Sequence, residues 1–352
     1  MSQWQPVLIC LLSLFTLFTG GNSLAFWNQM RPSSSLPKLK TVAVTGSTGL
    51  VGKALCQRLS EQGVTVRRFT TGQLPPAASV GTKEEWYKWD STRGVIDPNA
   101  FANCDCVIHL AGENIASGSF ESPLAVLGSW TENKKAKILN SRVNGTRLVV
   151  ETINKMAVNS RPKVLVTASA VGYYGYTNNE RIFNEEFGQG DGFLAQVVRS
   201  WEAEAVKCKT RTAFARFGVV LSKDGGVVSK LLPLFRLAAG GCLGSGKQGF
   251  SWVTLDDAVS ALVFAAENSE LKGPFNVCSP QPCTNEKFTQ ALAKAVKRPA
   301  IVPLPEFAAR FLFGEFGEEV LLGGQKAVPT KLTSANFKLK NEYIEQALES
   351  IL

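Results

Sequence analysis

The stretch Thr41–Gly52, with the sequence TVAVTGSTGLVG, decides the fold of this chain. Its first five residues are β-branched or small and predict a short buried strand. Gly46 permits a tight turn, and a helical pattern opens at Gly49, so the stretch predicts a strand, a turn and a helix N-terminus in that order. The glycines follow the spacing Gly-x-x-Gly-x-x-Gly.

A glycine turn between a strand and a helix N-terminus can bind the pyrophosphate of a dinucleotide. Gly49 would let the pyrophosphate approach the backbone, and Gly52 would let the helix pack closely on the strand. The free N–H groups and the dipole of the helix end attract an anion. A glycine triplet alone fits a purely structural turn equally well, so the rest of the chain must decide. The predicted cofactor-binding residues of this loop are Gly46, Ser47, Thr48, Gly49, Leu50, Val51 and Gly52.

Composition indicates one large α/β domain with a smaller appendage, since the chain has 352 residues of which 45% are hydrophobic. The net charge is +9, but the first forty residues carry three positive charges and no acid, which leaves +6 for the remainder. The other Lys and Arg residues are interspersed with acids, so we expect a solvated surface and phosphate ligands and no nucleic-acid partner. Eight cysteines without a CxxC pair and a single histidine, His109, argue against a zinc site and a histidine-based triad.

Residues 1–40 predict a bipartite targeting presequence. The uncharged run Pro6–Thr19 is short for a membrane span and is followed by two glycines, as in a signal-peptide core. The Ala25-Phe26 junction then leads into a segment with serines and Arg31 but no acid, which is typical of a transit peptide. This arrangement resembles the presequences of algae with secondary plastids and implies delivery to the plastid stroma, with no stable membrane anchor after processing. A plain secretory signal is the alternative.

The second predicted strand leads into Arg67 and Arg68, with no acid close by that would hold a ribose 2′-hydroxyl. Arginine suits a 2′-phosphate, which favours NADP(H) over NAD(H). Adjacent side chains of a strand face opposite sides, so the pattern leaves open which arginine faces the ligand. Surface charge is the alternative interpretation.

Several motifs together resemble the extended and atypical short-chain dehydrogenase/reductases, and among them the subgroup called epimerase family proteins. The motifs are Gly46-Ser-Thr-Gly-Leu-Val-Gly, His109-Leu-Ala-Gly-Glu-Asn-Ile, Ser141-Arg-Val-Asn-Gly-Thr, Ser169-Ala-Val-Gly-Tyr-Tyr-Gly and Trp201-Glu. The resemblance runs from Thr41 to the C-terminus. It implies a Rossmann-type doubly wound, mostly parallel sheet in residues 41–270 and a helical lobe of unknown function in residues 271–352.

The resemblance also implies roles for single residues. Asp90, at the end of the third predicted strand, would contact the adenine, and the cofactor would lie on the strand end at Leu110, Ala111 and Gly112. A helix is predicted from Trp130 to about Asn144-Gly145. Within it, Arg142 stands where extended members carry an asparagine, and it could either clamp an anionic substrate or lie on the surface.

The catalytic residues of the superfamily are only partly present. Ser169 matches the serine that lies beside the nicotinamide, but alignment on Glu202 puts Leu194 and Val198 in place of the catalytic tyrosine and lysine. In ordinary members the lysine lowers the tyrosine pKa so that the phenol can exchange a proton with the substrate. The candidates to replace this pair are Tyr173, Tyr174 and Tyr176, with Arg199 as an electrostatic partner.

Two functions follow from these observations. The first is an NADP-dependent oxidoreductase or epimerase that acts on a small anionic metabolite, which the cofactor and serine motifs favour. The second, which only the resemblance implies, is an NADP(H)-sensing regulator that acts on a division-related protein partner, because plastid and cyanobacterial members of the subgroup have been linked to division. The missing tyrosine and lysine favour this second function.

Overall fold

The computed structural model of the chain describes residues 38–74, 83–116, 130–177 and 180–352. Residues 1–37 of the predicted presequence lie outside the described residues. From Leu39 to Leu352 the chain forms one compact unit.

Eight strands of the described chain form the main sheet, in the order β12-β8-β6-β5-β1-β2-β3-β4. All neighbours pair in parallel except β3 and β4, which are antiparallel. This confirms the predicted Rossmann-type fold. The described strands are β1 Thr41–Thr45, β2 Thr65–Thr70, β3 Glu84–Asp90, β4 Val95–Ile96, β5 Cys106–His109, β6 Val164–Ala170, β7 Ile182–Phe183, β8 Arg211–Phe217, β9 Val219–Ser222, β10 Gly249–Phe250, β11 Trp252–Thr254, β12 Gly273–Val277, β13 Cys283–Thr284 and β14 Lys326–Ala327.

Helices cover both faces of the main sheet. Side chains alternate along β1, so that Val42 and Val44 pack with α1 and α5 on one face, whereas Ala43 packs with α2 on the other. The described α-helices are α1 Leu50–Glu61, α2 Glu132–Lys155, α3 Phe193–Ala205, α4 Gly226–Arg236, α5 Leu255–Glu267, α6 Asn285–Ala295, α7 Glu306–Phe316, α8 Thr330–Ser334 and α9 Ile344–Ile351, and a π-helix spans Gly317–Leu322.

Helix α2 does not end near Asn144-Gly145, as predicted, but continues to Lys155. The glycine is a packing contact and not a stop signal. A Cβ atom at Gly145 would lie 3.2 Å from the Trp89 ring and 3.6 Å from Cε1 of His109. The missing side chain therefore lets α2 lie close to β3 and β5.

The C-terminal part of the chain contributes to both the main sheet and the smaller elements. Strand β12 lies at the edge of the main sheet, so that sheet extends past the predicted boundary at residue 270, and the division of the chain into 41–270 and 271–352 stays a prediction. Strand β14 pairs with β7, far earlier in the sequence. In the part of the chain that the structure describes, no helix combines the length and the apolar character needed to cross a membrane.

Candidate functional site

The parallel strands of the main sheet end at one edge, where the glycine turn meets the end of β5. Thr45 is in register with His109, so Gly46 and Leu110 leave their strands side by side. Gly46 has φ +67°, and a Cβ atom on it would lie 2.7 Å from the Leu110 carbonyl carbon. A Cβ atom at Gly52 would lie 2.1 Å from the Gly46 carbonyl oxygen. Both glycines are therefore required by the packing of the protein on itself.

Gly49 differs from these two glycines because the protein leaves space in front of it. It is the N-cap residue of α1 with φ −74°, a conformation open to any residue. A Cβ atom at this position would meet only the Gly46 carbonyl oxygen, at 3.4 Å. Among the residues that the structure describes, no side chain caps α1, and its first turn has no acid. The open space and uncapped helix end fit a pyrophosphate.

The other loop residues divide between those at the surface of the turn and those that support it. Thr48 is exposed, whereas Ser47 is fully buried and its hydroxyl donates to the Phe69 carbonyl oxygen at 3.0 Å. Leu50 packs against Gly225, where a Cβ atom would lie 3.0 Å from the leucine side chain. The side chains of Ser47 and Leu50 thus hold the loop in place, which leaves the loop backbone for a ligand.

The prediction that Arg67 contacts the cofactor is wrong. Its Nη1 donates to the carbonyl oxygen of Ala102 at 2.7 Å, and its Nε donates to Glu85 at 2.9 Å. Ala102 lies on the segment that leads into β5. This segment is at the edge of the sheet opposite the glycine turn. The position of Arg67 in the middle of β2 and the alternation of side chains direct it away from the strand ends.

Arg68 faces the glycine turn, but its guanidinium is already engaged. Nη2 donates to the Ser47 carbonyl oxygen at 3.0 Å, and Nη1 pairs with the Glu84 carboxylate at 3.0 Å. The guanidinium also lies 4.3 Å from the ring centroid of Trp86. The carboxylate compensates the charge, so Arg68 supports the loop and is poorly placed to recognise a phosphate.

Asp90 lies at the C-terminal end of β3, at the expected edge of the sheet. Its Oδ1 accepts hydrogen bonds from the backbone N–H and hydroxyl of Thr92, at 2.9 and 2.6 Å. These hydrogen bonds lower the pKa of Asp90 and outweigh desolvation, which acts in the opposite direction. The carboxylate stabilises its own turn, and its contact with adenine stays a prediction.

Arg142 lies against the end of β5, which is the position that the anion-clamp alternative predicts. A Cβ atom at Gly112 would lie 3.3 Å from Cζ of Arg142, so the glycine makes room for the guanidinium. Nη1 donates to the carbonyl oxygens of Glu113 and Ile138 at 2.9 and 3.1 Å. The guanidinium also lies 5.3 Å from the ring centroid of Trp201. Leu110 and Ala111 complete this strand end.

Burial dominates the electrostatics of Arg142. Removal from water lowers the pKa of its guanidinium to about 10, and the Glu113 carboxylate offsets this only in part. Within residues 38–74, 83–116, 130–177 and 180–352, no carboxylate lies within ion-pairing distance of Arg142, and its Nε and Nη2 atoms donate no hydrogen bond. The side chain is therefore half-buried and forms no ion pair with a described carboxylate, which favours the anion-binding alternative over the surface one.

Ser169 is part of a buried polar network and is not open to the strand-end edge. It is 3% exposed, and its hydroxyl donates to Oε1 of Glu202 at 2.6 Å. Arg216 binds the same carboxylate through Nε at 2.8 Å and Nη2 at 2.7 Å. Burial alone would lower the pKa of Arg216, but the Glu202 carboxylate raises it overall. The serine proton is thus held by Glu202, which contradicts a simple transfer of the superfamily's serine role.

Tyr174 belongs to the same network. Its hydroxyl donates to Oδ1 of Asn276 at 2.8 Å and accepts from Nη1 of Arg216 at 3.2 Å. Burial raises the pKa of Tyr174 to about 12. A buried phenol with a raised pKa is a poor acid or base near neutral pH. The raised pKa and the two hydrogen bonds disfavour Tyr174 as an acid or base, and its catalytic role stays a prediction.

The remaining candidates lie in three different environments. The ring of Tyr173 packs on the Arg216 guanidinium, 3.5 Å from its Cζ atom. Tyr176 is exposed and, with Phe193, lines a cavity of about 610 Å³. Arg199 is exposed on α3 and donates to Gln189 at 3.3 Å, and its role in the site stays a prediction.

Leu194 and Val198, which replace the tyrosine and lysine of the superfamily, lie on α3 as predicted. Val198 is buried. A Cβ atom added at Gly172 would lie 3.7 Å from the Cβ atom of Leu194. The position of the missing tyrosine is therefore close to the chain that follows Ser169, and an aliphatic side chain occupies it. No proton can be exchanged there.

Glu202 and Arg216 were not predicted as site residues. Glu202 belongs to the Trp201-Glu motif, which indicates no side-chain partner, and Arg216 lies within an apolar strand pattern. A charged residue at a buried position of a predicted strand requires a partner, and this was the available signal. The partner itself could not be read from the sequence. Among the described residues, no group of His, Cys, Asp or Glu is arranged to hold a metal ion.

Comparison with known proteins agrees with this geometry. The NAD dependent epimerase/dehydratase family matches residues 42–278, and a domain of unknown function, DUF1731, matches residues 304–351. The chain is 36% identical over 332 residues to the epimerase family protein SDR39U1 homolog, chloroplastic, of Arabidopsis thaliana, covering 91% of this chain and 89% of the relative. It is 39% identical over 310 residues to epimerase family protein Mb2239 of Mycobacterium bovis, covering 87% and 96%.

A solved structure is similar over nearly the same length. The crystal structure of human epimerase family protein SDR39U1 (isoform 2) with NADPH is 31% identical to this chain and superposes with a TM-score of 0.76. The similarity covers 88% of this chain and 98% of the human chain. The Rossmann-type sheet, the glycine turn and these matches lead to one conclusion: the chain belongs to the NAD dependent epimerase/dehydratase family and carries a DUF1731 domain at its C-terminal end.

Proposed function

We propose that this protein binds NADP(H) across the strand ends and acts as an oxidoreductase or epimerase on a small anionic metabolite. The bound nicotinamide would supply or accept a hydride. The uncapped end of α1 and the space in front of Gly49 would hold the pyrophosphate. The human relative, which was crystallised with NADPH, supports the choice of cofactor.

The observation that carries the anionic substrate is the environment of Arg142. A half-buried guanidinium that no described carboxylate pairs with is stabilised by an anionic ligand that compensates its charge. Two backbone carbonyl groups fix its Nη1 atom and thereby orient the plane of the guanidinium. Nε and Nη2 remain as two parallel donors, which match the two oxygens of a carboxylate or phosphate.

Calorimetry on the chain without residues 1–40 would test this function. We expect NADPH to bind about tenfold or more tightly than NADH. The NADPH-loaded protein should then bind members of a panel of carboxylate and phosphate metabolites, and Arg142→Gln should abolish that second binding while NADPH affinity is retained. A panel member that binds Arg142→Gln and the unchanged chain equally would exclude Arg142 from substrate recognition.

A second candidate function is an NADP(H)-sensing regulator without turnover, which acts on a division-related protein partner. The aliphatic residues Leu194 and Val198 and the binding of the Ser169 proton by Glu202 favour it, because they leave the site without an evident acid or base. The discriminating comparison uses one in vivo phenotype. A sensor loses function with Gly49→Asp but retains it when the hydroxyls of Tyr173 and Tyr176 are removed, whereas an enzyme that uses either hydroxyl loses function in both cases.

We also propose that the protein acts in the plastid stroma. The predicted presequence and the description of the Arabidopsis relative as chloroplastic support this location. Residues 1–40 fused to a fluorescent protein should deliver it to a plastid in an alga of matching type, and Phe26→Ala should divert it. Delivery to the secretory pathway by the unchanged segment would contradict the proposal.

A further inference from the structure

The 2′-phosphate of NADP(H) requires a cation near the end of β2, and the chain is poor in cations at this place. No lysine or arginine occurs from Phe69 to Thr82, the segment that leaves β2 and approaches β3. The cations closest in sequence on either side are Arg67, Arg68, Lys83, Lys88 and Arg93.

Four of these five cations either point to the opposite edge of the sheet or are paired with a carboxylate. Arg67 points to the opposite edge of the sheet, and Arg68 is paired with Glu84, as described above. Lys83 donates to the carbonyl oxygen of Gly63 at 3.0 Å, before β2 begins and therefore also at the opposite edge. Arg93 has a side chain that is 82% exposed and lies 3.6 Å from the carboxylate of Asp90.

Lys88 is the remaining cation, and its position suits a phosphate beyond the end of β2. It is in register with Thr70, the last residue of that strand. It lies two residues after Trp86, whose ring contacts Arg68, so alternation puts Lys88 on the same face of the sheet as Arg68 and the glycine turn. Its Nζ donates to the carbonyl oxygen of Gly72, two residues past the strand.

The charge of Lys88 is not compensated within the part of the chain that the structure describes. Its hydrogen-bond partner is a neutral carbonyl group, and no described carboxylate is paired with it. A lysine ammonium is a compact charge on a flexible stem, and it can exchange a carbonyl oxygen for a phosphate oxygen with little rearrangement. We infer that Lys88, and neither arginine of β2, recognises the 2′-phosphate and sets the preference for NADP(H) over NAD(H).

This inference rests on the proposed binding of NADP(H). Calorimetry on the full chain can test the role of Lys88 separately from dinucleotide binding itself. The variants are Lys88→Met and, as a matched control, Lys83→Met, which removes a lysine with the same kind of carbonyl contact from the other edge of the sheet. In Lys88→Met we expect NADPH affinity to fall about tenfold or more and NADH affinity to stay unchanged, whereas Lys83→Met should leave both affinities unchanged. Lys88→Arg should retain most of the preference.

Adenosine 2′,5′-bisphosphate and adenosine 5′-monophosphate give a second readout that does not involve the nicotinamide. Only the bisphosphate should lose affinity in Lys88→Met. An unchanged NADPH-to-NADH ratio in Lys88→Met, or a ratio that collapses in Arg68→Met but not in Lys88→Met, would overturn the inference while leaving dinucleotide binding intact. Failure of the unchanged chain to bind either dinucleotide would instead overturn the proposed function.

Discussion

The hydroxyl of Ser169 donates a 2.6 Å hydrogen bond to Oε1 of Glu202, and both side chains are buried. A serine hydroxyl has one proton, so while this bond persists Ser169 can only accept a hydrogen bond from another group. The same carboxylate receives two hydrogen bonds from Arg216. The strand end after β6 is therefore built around a fixed negative charge and its counter-ion.

Removal of that charge should destabilise the fold strongly. Glu202→Gln leaves Arg216 as an uncompensated buried cation, and we expect a loss of about 3–5 kcal/mol in the free energy of unfolding. Glu204→Gln is the matched control on the same helix: Glu204 is as buried as Glu202, but its partners Arg147 and Lys207 stay in contact with solvent when the carboxylate is removed, so the loss should be clearly smaller. Urea unfolding measures both, and equal losses would contradict the assigned role of Glu202.

Gly49 and Gly52 should respond differently to substitution. Gly49→Asp meets no backbone closer than 3.4 Å and should fold normally, but its carboxylate would repel the pyrophosphate and abolish NADPH binding. Gly52→Ala brings a Cβ atom to 2.1 Å from the Gly46 carbonyl oxygen and should lower the melting temperature. Thermal unfolding together with calorimetry distinguishes them, and a Gly49→Asp protein that still binds NADPH would refute the assigned position of the cofactor.

His109 should remain neutral well below its ordinary range. Burial lowers its pKa to about 4, and Nδ1 is 2.6 Å from the Thr45 hydroxyl. The unfolded chain takes up a proton at about pH 6.5, before the folded one does, so the contribution of His109 to stability is present above that pH and is lost as the pH falls towards 4. The loss between pH 7 and pH 5 should be about 2 kcal/mol.

The chain has a single histidine, so NMR can follow its imidazole without ambiguity. A midpoint near pH 6.5 in the folded protein would contradict the buried neutral state. His109→Asn can keep a hydrogen bond to Thr45 and should flatten this part of the pH dependence of the unfolding free energy.

Loss of the hydroxyl should lower the free energy of unfolding much more at Tyr174 than at Tyr173. Tyr174→Phe removes a buried hydroxyl that joins Asn276 to Arg216, and it should cost about 1–3 kcal/mol. Tyr173→Phe keeps the ring that packs on Arg216 and should stay within about 0.5 kcal/mol of the unchanged protein. Chemical denaturation tests the pair, and the reverse order would place Tyr173 in the network instead of Tyr174.

Local patterns in the sequence predicted the alternation of strands and helices and the glycine turn, because strand periodicity and the Gly46 turn are properties of a few adjacent residues. The same reasoning failed at Gly145. A glycine inside a helix is unfavourable in isolation, but here close packing against Trp89 and His109 outweighs that preference.

Side-chain partners were the least predictable part of the site. Arg67 and Arg68 are adjacent in sequence, and alternation along β2 puts their side chains on opposite faces of the sheet. Their guanidinium groups reach opposite edges because their hydrogen-bond partners belong to different elements. Ser169 and Glu202 were both identified as motif residues, but nothing local indicates that one binds the other. The place of Lys88 beside Thr70 depends on the register of β2 and β3, which local sequence patterns do not indicate.

The pairing of β14 with β7 has a consequence for biosynthesis. Glu185 accepts hydrogen bonds from the backbone N–H groups of Asn276 and Lys331, and the Asn276 amide donates to the carbonyl oxygen of Val328. Ser251 likewise binds the backbone at Gln325 and Ala327. A nascent chain still on the ribosome lacks these partners until residue 331 has emerged, so this part of the interior cannot close before then. A premature stop before Gln325 would leave these buried groups without partners and expose the product to chaperones and proteases.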